Sequence, residues 1–70
     1  MKLTEEIIRE RIEHIKKVTH DNEQAHWNED SLYYDFIECI AEGCYSPEEA
    51  QCLAAIVLTA SDIDYVRWYA

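Results

Sequence analysis

The chain contains no run of about 18 apolar residues and no basic segment followed by an apolar stretch at its start. Neither a membrane span nor a secretory leader is therefore expected, which points to the cytoplasm. Glycine and proline occur once each, as Gly43 and Pro47, and linkers, internal repeats and low-complexity stretches are missing. The three cysteines, Cys39, Cys44 and Cys52, are odd in number and form no CxxC pair. That argues against a disulfide framework and a zinc knuckle, and reads as reduced, packed thiols. Zinc held by Cys39, Cys44 and one histidine would match no ligand spacing with a mechanism behind it. Basic residues nearly vanish after Lys17: five cations face four anions up to that point, and eleven acids face Arg67 alone beyond it, for a net charge of −9. So acidic a domain is repelled by nucleic acid and anionic membrane, and a basic protein surface is the favoured partner.

What is present is a foldable chain. Its 70 residues are 49% apolar and include eight aromatics, unlike the polar, aromatic-poor composition of disordered segments. They make one domain, near the lower size at which a single core is stable. Thr4 is a good N-cap, Glu5 and Glu6 suit a first turn, and Ile8, Ile12 and Ile15 recur at helical spacing, predicting a helix over about 5–19. Arg11 falls inside its apolar sector. Its aliphatic stem can lie across the core edge, or its head can pair with a carboxylate of a facing helix.

Asp21 caps the next segment, which lacks Gly and Pro through Glu42 and reads as one helix over 22–42, or two kinked near Asn28. Leu32, Tyr33, Phe36, Ile37 and Ile40 form its expected inward face. Asp35, Glu38 and Glu42 make an acidic ridge opposite, with Glu48 and Glu49 nearby. Gly43 suits the left-handed position that ends a helix. "SPEE" then places Ser46 at an N-cap and Pro47 at the first helical position, predicting a helix over 47–59. This helix is apolar nearly all round, so it is either the central element or a self-association surface through Cys52 and Ile56. A short terminal helix over about 62–69, carrying Tyr65, Trp68 and Tyr69, completes an all-α bundle.

"AHWNED", residues 25–30, is the densest polar constellation. On the wheel that buries Leu32, Phe36 and Ile40, Glu29 faces inward and His26 lies at the edge. A buried carboxylate needs a partner, and Arg11 and Arg67 are the cations whose sectors approach the core. The expected arrangement is a structural clasp of His26, Glu29, Asp30 and Arg67, with Arg67 on Glu29 or Asp30 and His26 reaching the C-terminal segment. A metal site from His26 and Asp30 with His20 or Glu23 is the second reading, short of the three or four ligands usually needed. Acid–base catalysis by His26 and Glu29 is the third, without a nucleophile or an oxyanion loop to serve it.

The sequence "AH" at 25–26, "ED" at 29–30, Leu32, "IA" at 40–41, Gly43, Ala50, "LT" at 58–59 and the ending "DIDYVRWYA" resembles a group of short, uncharacterised phage and bacterial proteins. In that group an "AH..ED.L" segment precedes a terminal "IDF.RWYA". The likeness covers residues 21–70, with "RWYA" its most specific part, and departs at Tyr65, where Phe is common, and at Asn22, where Pro is common. It implies a helical fold and a mobile-element origin, and supplies no catalytic residue. The functional expectation is a small, non-catalytic, cofactor-free interaction module, of the phage accessory or inhibitor kind, that docks on a basic host protein and in its strongest form imitates nucleic acid. The alternatives are a homo-oligomeric, for instance homodimeric, regulatory subunit and a small metal-binding domain.

Overall fold

A computed structural model describes residues 2–67. Three α-helices, α1 (Glu5–Lys17), α2 (Asn22–Ala41) and α3 (Pro47–Leu58), are followed by a 3₁₀ turn, Thr59–Asp62, and no strand occurs among the described residues. Each helix begins where a side chain satisfies an otherwise unpaired N–H: Thr4 accepts from Ile7 at 3.2 Å, Asp21 from Gln24 at 3.1 Å, and Ser46 from Glu49 at 3.1 Å. α2 runs unbroken past Asn28. At about 1.5 Å per residue it is roughly 30 Å long, which accounts for most of the 36 Å long axis.

α2 ends at Gly43, whose φ of 75° places it in the left-handed region. An L side chain would be strained there, and glycine is not. This turn reverses the chain so that α3 packs back. α1 packs against both other helices and the 3₁₀ turn, more extensively than α2 and α3 pack against each other. The most widely shared element is thus α1 rather than α3, whose apolar composition allowed either a central place or a self-association surface.

The core joins Ile8, Ile12 and Ile15 of α1, Leu32, Phe36 and Cys39 of α2, and Leu53 and Val57 of α3, sealed by Leu3, Ala25, Ala60 and Ile63. Two expectations for α2 are corrected. Ile37 is 63% and Ile40 45% exposed, whereas Cys39 is buried. The true inner line is 25, 29, 32, 36 and 39, alternating steps of four and three, the narrow seam that two facing helices require. Ile37 and Ile40 fall beside that seam, and Ile37 lines an open groove between α2 and α3.

The expected terminal helix over 62–69 is also corrected for its described part, while Trp68 and Tyr69 lie outside the described residues. The hydroxyls of Thr59 and Ser61 bond back to the carbonyls of Ile56 and Leu58, at 2.6 and 2.7 Å, tightening the end of α3 into 3₁₀ geometry. Ile63 then turns extended, and residues 63–67 carry no helix. Burial alternates along them, with Ile63, Tyr65 and Arg67 turned inward and Asp64 and Val66 exposed. A period of two suits a non-helical strap, here bent at Ile63 and Tyr65.

Candidate functional site

Glu29 lies on the inner seam of α2 and is 5% exposed, the one charged residue among the buried described residues. Its carboxylate is surrounded by donors. The Tyr33 hydroxyl, one turn along α2, donates to Oε2 at 2.5 Å. The Tyr65 hydroxyl donates to Oε1 from the strap. Arg67 reaches the same oxygen with Nε at 3.1 Å and with Nη2 at 3.1 Å. The guanidinium also lies 4.1 Å from the centroid of the Tyr65 ring and donates through Nη2 to the carbonyls of Ala60 and Ser61. The alternation of the strap explains the placement, since inward positions two residues apart bring Tyr65 and Arg67 to one carboxylate.

Of the four residues expected in the clasp, Glu29 and Arg67 form its centre. His26 and Asp30 form a second pair on the adjoining outer face, with Nε2 3.2 Å from Oδ2 one turn apart, so Asp30 does not take up Arg67. The sequence reading missed the two phenols. Tyr33 was legible at four residues from Glu29, whereas Tyr65 needed the non-helical strap. Among the described residues every buried side-chain nitrogen and oxygen has a partner, so the Glu29 carboxylate is buried and satisfied, within a ring of half-buried donors. A buried carboxylate held by several donors ties together the elements that supply them. No group of three or more His, Cys, Asp or Glu side chains is placed to hold a metal ion among the described residues, which leaves His26 and Asp30 without His20 or Glu23 as a third ligand.

Burial, and then the hydrogen bond to Glu29, push the Tyr33 phenol well above its ordinary value of 10.0. Tyr45 is raised likewise by burial and by its contact with Cys39, while its hydroxyl donates to the Leu3 carbonyl at 2.6 Å. A phenol whose folded value is raised contributes stability that is complete below its ordinary value and lost as pH rises toward the folded one. The fold is therefore expected to keep its stability up to about pH 10 and to lose it progressively above. Urea midpoints taken in steps of pH, read beside phenolate absorbance, check this; Tyr33→Phe should be less sensitive, and equal slopes in the two proteins would contradict it.

Two members of the acidic ridge have cationic partners while staying partly exposed. Asp35 is held by Arg11 at 2.8 Å across the α1–α2 interface, so Arg11 is an ion-pair partner rather than only a stem at the core edge. Glu49 faces Lys2 at 3.6 Å, with the Lys2 ammonium also over the Tyr45 ring. Glu38, Glu42 and Glu48 stand exposed. Of the expected self-association residues, Cys52 is exposed, but Ile56 packs partly against the core. Leu58, 64% exposed, stands out instead. With Ile37 it flanks an open apolar groove between α2 and α3, floored by Phe36 and Val57. No helix of the described residues is long and apolar enough to cross a membrane. No protein-family model matches the chain, and no curated protein or solved structure shows a significant likeness to it.

Proposed function

We propose that the chain is a non-catalytic interaction module that docks on a basic surface of a protein partner through the outer side of α2 and the start of α3. One observation carries this reading: the only Lys or Arg beyond Lys17 is Arg67, and it is spent on the buried Glu29. Asp21, Glu23, Asp30, Glu38, Glu42, Glu48, Asp62 and Asp64 consequently line the exterior with no Lys or Arg from their own part of the chain. Carboxylates so arranged give a field of one sign, which speeds encounter with a cationic groove and repels nucleic acid and anionic lipid. In the strongest form of the proposal, Glu38, Glu42 and Glu48 imitate phosphates in the nucleic-acid groove of a host protein, the mode of a phage-type inhibitor.

Affinity purification at low salt tests it with Glu38→Lys/Glu42→Lys, which leaves the Arg11–Asp35 pair and the core untouched. The wild type should retain a basic partner that rising salt releases, and the variant should bind it at least about tenfold more weakly, roughly 1.4 kcal/mol. Equal retention of the same protein by both would sink the charge-based reading.

A second reading, a homo-oligomeric subunit, is favoured by the exposed Ile37 and Leu58 across the α2–α3 groove. Sedimentation decides it: a wild-type dimer that Leu58→Glu converts to monomer supports self-association, and a wild-type monomer removes it.

A further inference from the structure

The turn after α2 places two sulfurs together in a way the interaction reading does not use. The Gly43 N–H donates to the Ile40 carbonyl at 3.0 Å and the Cys44 N–H to the Cys39 carbonyl at 3.1 Å. These paired bonds are the Schellman ending, which brings the side chain two positions past the cap against one in the last turn, commonly as a hydrophobic contact. Here both positions are cysteine, and burial, with Cys39 close by, pushes the Cys44 thiol above its ordinary value, so the exchange runs faster as pH rises. With the Cys44 nitrogen 3.1 Å from the Cys39 oxygen, covalent dimensions alone hold the two Cα atoms within about 7 Å, the span a disulfide can bridge. Cys39 is 2% exposed and its sulfur accepts the Leu3 N–H at 3.4 Å, while Cys44 is half-buried and reachable.

We propose that Cys39 and Cys44 form a redox-closable dithiol, a modification site at which a small-molecule disulfide of the glutathione type installs an intramolecular cross-link. The Cys44 thiolate attacks one sulfur of the reagent, whose S–S bond breaks and releases one glutathione thiol, leaving a mixed disulfide on Cys44. The Cys39 thiolate then attacks the Cys44 sulfur and expels the second glutathione. Two protein thiols are oxidised to one disulfide, the reagent is reduced to two thiols, and the two protein protons end on those thiols. Closure pins the Gly43 turn that aims α3. It also ties that turn to the N-terminal residues, because Cys39 and Tyr45 hold the Leu3 N–H and carbonyl.

The exposed Cys52 is removed first, as Cys52→Ser, so that only the pair can react. Treated natively with excess oxidised glutathione, this protein is expected to lose the mass of two hydrogens and to carry no adduct. Both thiols should disappear from titration and return with dithiothreitol, and the urea midpoint should be higher in the oxidised form. Cys39→Ala/Cys52→Ser should instead retain one glutathione on Cys44. A stable adduct in Cys52→Ser, two thiols still titratable after treatment, or an unmodified Cys44 in the double variant would each overturn the proposal.

Discussion

Arg67→Ala is expected to destabilise the fold by about 3 kcal/mol, as when a buried ion pair loses one partner. The Arg67 side chain is 20% exposed and that of Glu29 6%, so solvent screens the pair little and cannot replace the guanidinium. The loss falls at the lower end of the range for buried pairs because the Tyr33 and Tyr65 hydroxyls remain as donors to the carboxylate. With a urea dependence of roughly 1–2 kcal/mol per M for so small a chain, the midpoint should fall by about 1.5 M or more. A cycle with Glu29→Gln separates the pair from its surroundings, since Gln keeps an acceptor for the phenols and removes the charge. Coupling of about 1 kcal/mol or more is expected; additive effects, or an unmoved midpoint in Arg67→Ala, would mean that the strap is not held by this contact.

Leu32→Ala should have a larger effect still. Leu32 is fully buried on the inner seam of α2, among isoleucines of α1 and apolar groups of α3. Truncation there removes transfer free energy and leaves a cavity, about 3–5 kcal/mol together. A chain of 70 residues holds only about 4–10 kcal/mol in total. The variant should therefore be largely unfolded near physiological temperature, visible as lost helical circular dichroism and a broadened or absent thermal transition. Ile37→Ala, at 63% exposure, is the control and should stay within about 0.5 kcal/mol of wild type. If the two variants melted alike, the assignment of the inner face would be wrong.

These two experiments bear on function because they separate what holds the molecule together from what it presents. Glu29 and Arg67 are removed from the surface by each other. What remains outside at the C-terminal end of α2 includes Glu38 and the capping Glu42 beside the exposed Ile37 and Ile40. Variants that leave the seam intact can therefore probe binding without unfolding the protein, and Glu38→Lys/Glu42→Lys is chosen on that ground.

Local chemistry was enough to determine where the three α-helices begin, although α1 stops at Lys17, short of the expected 19. Thr4, Asp21 and the Ser46–Pro47 pair each cap the N–H groups nearest to them, and Gly43 alone tolerates the positive φ that ends α2. Such preferences act within one turn and need no distant partner. The charge of Glu29 also announced itself: an inward carboxylate must find a cation, and few were available. Three things only the tertiary structure could decide. Whether Cys39 or Ile40 lies on the inner line depends on where α1 and α3 cross α2, since a stripe of apolar residues wider than one seam leaves that choice to packing. Asp35 on the acidic ridge is paired because Arg11, 24 residues away, arrives across a helix interface. The strap over 63–67 is not helical because its alternate residues gain more by converging on Glu29 than a short, isolated helix would gain from its own few hydrogen bonds.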